Sequence, residues 1–149
     1  GGTVRQWRGG QAMSEDGAFR VPVPVRFSDI DALGHVNNAV YLTYMEIARV
    51  AFCRDVLGAA SVADLDFVVA RIEIDYRKPV RLGDDLTCAI SVERIGDTSY
   101  TLRYTLAAGD AVAASARSVQ VFFDPGTLRP KPVPPGFAAR VAPFMVTGS

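Results

Sequence analysis

One helix pattern among segments of strand periodicity constrains the fold of this 149-residue chain most strongly. From Asn38 to about Leu57, apolar residues recur at intervals of three and four, as they do along one face of an α-helix. Asn37 or Asn38 is a suitable N-cap, and Gly58 is a suitable residue to end the helix. Because the apolar face is broad, we expect the helix to be mostly enclosed. The recurring apolar positions are Val40, Tyr41, Tyr44, Ile47, Ala48, Ala51, Phe52 and Val56.

Segments with the two-residue periodicity of β-strands lie on both sides of this helix. Before it, Val21–Phe27 has one apolar face, and Pro22 and Pro24 on the other face predict an edge strand or a partly unpaired one. After it, Gly96–Asp97 and Gly109–Asp110 are typical of hairpin turns, so the last three strands should form an antiparallel meander. The four segments after the helix are Phe67–Lys78, Asp85–Ile95, Ser99–Ala108 and Ala111–Phe123.

One long helix and a single antiparallel sheet of about five strands predict an α+β fold in which the sheet wraps the helix. Such a layout leaves the outer face and the edges of the sheet open. Small and apolar residues predicted on the second face indicate that part of it meets a partner, and a homo-oligomer would cover it. These residues are Ala89, Ala111, Ala113 and Phe122.

The charges and cysteines restrict the class of protein. Sixteen basic and sixteen acidic side chains cancel, so no overall field favours nucleic acid or an anionic membrane surface. The sequence has no apolar run long enough to span a bilayer and no export signal pattern, so we expect a cytoplasmic protein. Cys53 and Cys88 lack metal-ligand or redox spacing, and we expect two reduced core thiols rather than a disulfide.

Composition divides the chain into three parts. Residues 1–18 are predicted to be a flexible arm or an expression remnant, since the first twelve lack periodicity and Met13 is a plausible native start. Residues 19–135 form the predicted domain, and residues 136–149 a C-terminal tail. The proline-rich stretch Asp124–Pro135 is expected to leave the sheet. Phe137–Val146 fits either a short docking segment or a frayed end.

The loop before the helix carries two acids, Asp29 and Asp31. Aspartates are common in turns, and the spacing by itself favours that structural role. The functional alternative is a carboxylate beside a helix start, acting on a substrate carbonyl as nucleophile or as general base for water. The backbone N–H of Asn38 would then hold the developing oxyanion. Asp31 is the better candidate because it is closer in sequence to the helix.

Gly34 and His35 occupy the same loop. Gly34 predicts a backbone conformation, or a close approach of substrate, that other residues resist. His35 is the only histidine, and a lone histidine is more often a hydrogen-bonded structural residue than a catalyst. No second histidine or cysteine lies at ligand spacing, so no metal site is predicted. Ser28 and Asp29 could formally complete a triad with His35, but their spacing does not support one.

Two further charged groups allow both a structural and a functional interpretation. Glu46 and Arg49 could form an i,i+3 pair on the helix surface, or Glu46 could reach His35 or the site. Arg77, Lys78 and Arg81 follow a predicted strand end. They could be a solvated strand terminus or a cationic rim for a phosphorylated ligand.

Two motifs resemble those of a known family. F-S-D-I-D-A-L-G-H-V-N-N-A-V-Y-L-T-Y-M-E-I-A-R, residues 27–49, resembles the signature of the hotdog-fold acyl-CoA thioesterases related to 4-hydroxybenzoyl-CoA thioesterase. D-Y-R-K-P-V-R-L-G-D, residues 75–84, resembles the second typical stretch of that family. The resemblance covers roughly Phe19 to Pro132. It implies a curved antiparallel sheet around a long central helix, and homodimers or homotetramers with active sites between subunits.

The resemblance also implies a reaction, the hydrolysis of an acyl-CoA thioester to a free acid and CoA without a cofactor. By motif position, Asp31 matches the catalytic carboxylate, and Asn38 falls where a helix-start N–H polarises the thioester carbonyl. Tyr41 matches an aromatic residue of the first helical turn that lines the acyl pocket or supports the loop. His35 and Asn37 belong to the G-H-V-N-N form of the motif and are expected to tune the pocket. Candidate contacts to CoA phosphates are Arg77, Lys78 and Arg81.

Several functions remain open at this point. The substrate could be a thioester of acyl carrier protein, because pocket shape rather than the motif sets that choice. A non-catalytic module that binds acyl thioesters could use the same pocket, since a fold does not fix a function. A hydratase acting on enoyl thioesters is less favoured, because its usual acid and histidine pattern on the helix is absent from the sequence. The role of Asp31, nucleophile or general base, is also open.

Overall fold

The computed structural model describes residues 5–6, 12–13, 17–61 and 64–146. Most of the predicted N-terminal arm, residues 1–18, therefore lies outside the described residues, as does the end of the predicted tail. Eight strands and two α-helices make up the described chain. In chain order they are β1 (Arg5–Gln6), β2 (Ala12–Met13), β3 (Phe19–Val23), α1 (Val40–Asp55), β4 (Phe67–Tyr76), β5 (Leu86–Ile95), β6 (Ser99–Ala108), β7 (Ala111–Asp124), β8 (Arg129–Pro130) and α2 (Phe137–Val141).

The strands form one antiparallel sheet in the order β1-β2-β3-β5-β6-β7-β4, and β8 pairs with β7. Five of these strands have five or more residues. The predicted meander of β5, β6 and β7 is confirmed, since both hairpins pair neighbouring strands. The long helix α1 packs against β3 and β5. The α+β hotdog architecture, a sheet of about five substantial strands around one helix, is therefore as predicted.

The helix α1 is enclosed on one side only. Tyr44, Met45, Ala48 and Phe52 are buried in the core. Leu42, Ile47 and Val50 are about two-fifths exposed, so the prediction of a mostly enclosed helix is wrong for this face. The reason is that a single sheet covers one side of a helix, and periodicity does not reveal what lies on the other side.

The ends of α1 differ slightly from the prediction. The helix begins at Val40, with Ala39 rather than Asn37 or Asn38 at the N-cap position. Asn37 nevertheless makes a cap-like bond, because its Oδ1 accepts the Ala39 N–H at 2.9 Å. At the other end Gly58 has a φ of +76°, and the Ala59 N–H after it donates to the Cys53 carbonyl. Gly58 therefore ends the helix in the left-handed conformation, as predicted.

The strand β4 is the exposed edge of the sheet. It pairs only with β7 among the described residues, and a bulge between Val69 and Arg71 shifts its register. Val68, Ile72 and Tyr76 remain between 37% and 48% exposed. The open apolar surface of the chain therefore lies on β4 and on the outer side of α1. It does not lie at Ala89, Ala113 and Phe122, which were predicted to meet a partner but are buried within this chain.

The first long strand ends earlier than predicted. β3 stops at Val23, and Phe27 lies in a 3-10 turn with 82% of its surface exposed. Arg26 and Asp29 close this turn through their side chains and backbone, which draws the chain out of the sheet. The edge position predicted from the two prolines is correct in part. β3 pairs with β5 over its full length, while β2 covers only Phe19 and Arg20 on the other side.

The C-terminal stretch folds back onto the domain. The prediction that Asp124–Pro135 leaves the sheet is wrong at β8, where Arg129 and Pro130 pair with the end of β7. Phe137, Val141 and Phe144 are then buried, so the core extends past residue 135. Of the two possibilities for Phe137–Val146, the structure shows the docked segment. Phe144 packs edge-to-face on Phe19 and Phe52 at 5.9 and 5.7 Å between ring centroids.

The two cysteines are free and buried, as predicted. Burial raises the pKa of Cys53 to about 11 and that of Cys88 to about 12, so neither thiol is a ready nucleophile at neutral pH. Among the described residues, no helix has the length and apolar character needed to cross a bilayer.

Candidate active site

The loop before α1 holds the Asp31 carboxylate in one orientation. Oδ1 of Asp31 accepts the backbone N–H of Leu33 at 2.9 Å and that of His35 at 3.4 Å. The Asp31 N–H donates to the His35 carbonyl at 2.8 Å, which closes the loop. Gly34 allows this closure with a φ of +82°, a conformation that an L side chain would strain. The other carboxylate oxygen, Oδ2, has no hydrogen-bond partner among the described residues.

Asp29, two residues earlier, is occupied by structural contacts. It is 2% exposed, and its Oδ2 accepts the Tyr44 hydroxyl at 2.7 Å and the Arg26 N–H at 2.9 Å. The Arg26 guanidinium binds Oδ1 at 3.0 Å. Burial alone would raise the pKa of Asp29, but the bonds from Arg26 and Tyr44 outweigh burial and hold the pKa below its usual value. The structure thus separates the two acids into a buried anchor and an accessible carboxylate.

The start of α1 supplies a free backbone donor. The Asn38 N–H has no acceptor among the described residues, whereas the next N–H, of Ala39, is bound to Asn37 Oδ1. The Asn38 carbonyl accepts the Tyr76 hydroxyl at 2.8 Å, so the end of β4 is bonded to the start of the helix. A helix start with an unpaired N–H favours negative charge through its dipole.

Asp31 and Asn38 line one open cleft of about 500 Å³. The cleft lies between the loop, the first turn of α1 and the end of β4. Of the residues predicted to form a site, Gly34 and Arg81 are not among those lining it. The lining residues are Asp31, Leu33, His35, Val36, Asn37, Asn38, Tyr41, Tyr76, Arg77, Lys78 and Pro79.

Aromatic side chains form the inner wall of the cleft. Tyr41 is 2% exposed and meets Tyr76 edge-to-face at 5.0 Å between ring centroids. Burial raises the pKa of Tyr41, so its hydroxyl stays protonated. The sequence analysis placed Tyr76 in a strand, which is correct, but did not predict that Tyr76 also lines the cleft. The available signal was its position, as an aromatic residue that ends a strand and directly precedes the basic run.

Two of the three predicted basic residues lie at the cleft. Arg77 and Lys78 line it, and the Arg77 Nε donates to Ser115 Oγ at 3.1 Å, which fixes that side chain. Lys78 makes no side-chain hydrogen bond among the described residues. The backbone of Arg81 instead closes the following turn by donating to Asp84 Oδ2 at 2.9 Å. The cationic rim of the cleft therefore consists of two residues rather than three.

Neither interpretation of Glu46 and Arg49 is correct. The two side chains do not pair with each other among the described residues, and Glu46 is exposed, outside the cleft that holds His35. Arg49 is 7% exposed and donates from Nη1 to the Tyr104 hydroxyl at 3.0 Å. The described part of the chain also holds no cluster of three histidine, cysteine or acidic residues with the geometry of a metal site.

Comparison with known proteins gives a consistent family. Residues 25–141 match the model of the thioesterase-like superfamily. An acyl-CoA thioester hydrolase of Escherichia coli, YbgC, is 30% identical over 128 residues, which cover 81% of this chain and 93% of that protein.

Solved structures of thioesterases have the same fold. A predicted thioesterase from Bacillus stearothermophilus superposes with a TM-score of 0.82 and 29% identity, covering 89% of this chain and 99% of the other. A thioesterase from Thermus thermophilus, solved in complex with coenzyme A and Zn, superposes with a TM-score of 0.77 and 37% identity. That match covers 87% of this chain and 96% of the other.

Proposed function

The chain belongs to the thioesterase-like superfamily, and we propose that it hydrolyses acyl-CoA thioesters to a free carboxylic acid and CoA. The main support for this proposal is that Asp31, with one unbonded carboxylate oxygen, and the unpaired N–H of Asn38 line the same cleft. The E. coli relative, an acyl-CoA thioester hydrolase, and the Thermus structure with coenzyme A support a CoA thioester as substrate.

In this proposal the thioester carbonyl lies between Asp31 and Asn38. The Asn38 N–H donates a hydrogen bond to the carbonyl oxygen, which gains negative charge as the carbonyl carbon becomes tetrahedral. The C–S bond then breaks, and the sulfur leaves as the CoA thiolate. The loop contributes orientation, because its two N–H bonds to Oδ1 of Asp31 aim Oδ2 without consuming it.

Asp31 can start this reaction in two ways. As a general base it removes a proton from water, and the water oxygen attacks the carbonyl carbon. As a nucleophile its Oδ2 attacks the carbon directly, CoA leaves, and water cleaves the resulting mixed anhydride. A single turnover in isotopically labelled water distinguishes the two. Direct attack can leave the label on Asp31, whereas the general-base route places it only in the released acid.

The other cleft residues have supporting roles in the proposal. Tyr41 and Tyr76 line the wall that faces the acyl group, and His35 and Asn37 shape the entrance. Arg77 and Lys78 supply positive charge for the phosphates of CoA, for which arginine and lysine are the usual partners.

We also propose that the working protein is a homodimer or a homotetramer. Apolar side chains on β4 and on the outer side of α1 remain exposed, and an edge strand with free N–H and C=O groups readily pairs with another chain. A second copy would cover both surfaces and narrow the cleft.

Thiol release from acyl-CoAs with short, long and aromatic acyl groups tests the proposed activity. We expect wild type to release CoA from part of this panel and Asp31→Asn to lose at least about a hundredfold in kcat. Asp124→Asn is the matched control, since Asp124 also binds two backbone N–H groups of a turn through Oδ1 but lies outside the cleft. Equal turnover by Asp31→Asn and wild type would remove Asp31 from the mechanism.

A further inference from the structure

A second groove runs beside α1, farther from the helix start than the catalytic cleft. It has a volume of about 350 Å³ and lies between the second half of α1 and the start of β4. Phe67 and Val69 of β4 form one wall, and Val50 and Cys53 of α1 form the other. Arg49 also lines the groove, although Arg49 is 93% buried. The groove is therefore an apolar channel that contains one cation.

The catalytic cleft and this groove share the same two elements. Tyr76 at the end of β4 lines the cleft, and Phe67 at its beginning lines the groove. Between them, Ile74 packs on the core, and Ile72 lies on the same face of the strand with 37% of its surface exposed. On the helix, Leu42 is 43% exposed between the two sites. An apolar strip thus connects the thioester site to Arg49.

The Arg49 guanidinium lacks an anion of its own. Among the described residues it makes no salt bridge and donates one hydrogen bond, to Tyr104. Tyr104 in turn belongs to a chain of buried hydrogen bonds. Its hydroxyl lies 2.6 Å from Ser118 Oγ, Ser118 donates to Gln120 Oε1, and Gln120 donates to the Tyr100 carbonyl. The remaining N–H groups of Arg49 have no hydrogen-bond partner among the described residues. They are not fully buried, so they are open to a ligand in the groove that Arg49 lines.

A second polar group close to Arg49, the Tyr100 hydroxyl, has only the Cys53 thiol, a weak hydrogen-bond partner, beside it. This hydroxyl is fully buried. Burial has the larger effect and raises the pKa of both the Tyr100 hydroxyl and the Cys53 thiol next to it, whereas the positive charge of Arg49 acts to lower the pKa of both groups. Tyr100 does not itself line the groove, so Arg49 is the group that offers positive charge and N–H donors to a ligand there. A ligand oxygen that carries negative charge would satisfy this arrangement.

We propose that this groove binds the far end of the acyl group and that Arg49 selects acyl-CoA substrates with a terminal carboxylate. The proposal rests on the proposed hydrolase function, because the apolar strip can lead an acyl chain to Arg49 only if the thioester is bound at Asn38. Arg49 follows Asn38 by eleven residues, most of them in α1, which corresponds to roughly 16 Å at about 1.5 Å per residue. An extended acyl chain of ten carbon atoms spans about 11 Å, and the hydrogen bonds at its two ends add about 3 Å each, which together cover this distance.

Among the described residues that line the groove, Glu46 is the one acid. It is exposed, so its charge is screened by water, and it weakens rather than prevents the binding of a carboxylate. Replacing it by glutamine should therefore favour a terminal carboxylate further. The same substitution would have no effect on selectivity if Arg49 had only a packing role.

Hydrolysis of matched pairs of thioesters tests the proposal. The long pair is decanoyl-CoA and the mono-CoA thioester of decanedioic acid, and the short pair is hexanoyl-CoA and adipoyl-CoA. We expect wild type to prefer the carboxylate member of the long pair in kcat/KM by about tenfold or more, the effect of one charge-assisted hydrogen bond. The short pair should show no such preference, because its carboxylate stops short of Arg49.

Substitutions at Arg49 identify the source of the preference. Arg49→Met should bring the ratio of kcat/KM within the long pair to about one, and Arg49→Lys should restore part of the preference. Arg54→Met is the control, since Arg54 is on the same helix, outside the groove, and pairs with Asp55 at 2.8 Å. Thermal unfolding and sedimentation of each variant establish that it is folded and associated like wild type.

The possible outcomes separate the two proposals. Equal hydrolysis of both members of the long pair would overturn the role of Arg49 and leave the thioesterase assignment intact. An equal loss on both members in Arg49→Met, with altered association, would overturn it by showing that a second copy provides the anion. If no thioester is cleaved, the proposed function fails, and the binding of free decanedioate then tests the role of Arg49. Decanedioate should raise the Tm of wild type but not of Arg49→Met. The absence of a shift in both proteins would overturn the proposed role of Arg49.

Discussion

At the scale of single residues, Asp29 and Asp31 are two carboxylates that the same loop places in different environments. Asp29 is buried and holds Arg26 and Tyr44, whereas Asp31 keeps one oxygen free in an open cleft. The sequence favoured Asp31 through its position near the helix and through the family motif. Burial and the Tyr44 contact of Asp29 depend on how the loop closes, which spacing in the sequence does not encode.

Asp29→Asn is expected to destabilise the fold by about 1–3 kcal/mol at neutral pH, because the buried bonds to Arg26 and Tyr44 lose their charge. The pKa of Asp29 is lower in the folded chain than its ordinary value of 3.8. Its stabilisation is therefore complete above that value and is lost as the pH falls through the lower, folded-state pKa. Urea unfolding should show a large difference between variant and wild type at neutral pH and a small one in strong acid. A difference that does not change with pH would contradict this assignment.

At the scale of secondary-structure elements, the contact between β4 and the start of α1 holds Asn38, whose N–H is the proposed oxyanion donor. Tyr76→Phe removes the bond from the Tyr76 hydroxyl to the Asn38 carbonyl and keeps the ring against Tyr41. We expect a loss of about 0.5–1.5 kcal/mol in transition-state stabilisation, or roughly a two- to tenfold lower kcat. Steady-state kinetics measure it, and Tyr76→Leu, which also removes the ring, should lose more. An unchanged kcat in Tyr76→Phe would show that the helix start needs no such support.

The C-terminal segment is a second element whose role can be measured. Phe144 is fully buried between Phe19 and Phe52, so Phe144→Ala should destabilise the fold by about 3–5 kcal/mol. Chemical denaturation of the two proteins gives the difference directly. A loss below about 1 kcal/mol would indicate that the segment detaches easily and that the core ends before it.

The elements themselves were largely predictable, and their surroundings were not. The strand bounds of β5, β6 and β7 follow from alternation and from glycine turns, and α1 follows from its three- and four-residue spacing. β4 has the same alternation, yet it is an exposed edge, because its neighbours are set by the order of strands in the sheet. Arg49 lay on the helix surface in one of the two interpretations left open by the sequence, and only the packing of α1 on the sheet shows that it is buried.

At the scale of the whole molecule, one sheet covers one side of one helix and leaves two apolar surfaces open. If β4 pairs with a second copy, a charge on this strand should weaken association. We expect Val68→Lys to shift the protein toward smaller species in sedimentation velocity, while Leu82→Lys, on an exposed loop, leaves the distribution as in wild type. Wild-type protein that sediments as a monomer at all concentrations would contradict the proposed homo-oligomer.

In the proposed mechanism, hydrolysis depends on the one oxygen of Asp31 that makes no hydrogen bond among the described residues. The most direct test is to measure acyl-CoA binding and single-turnover hydrolysis separately in wild type and in Asp31→Asn. We expect the variant to bind acyl-CoA about as tightly as wild type but to cleave the bound thioester at least about a hundredfold more slowly. Cleavage of the bound thioester at the wild-type rate would contradict the proposed mechanism.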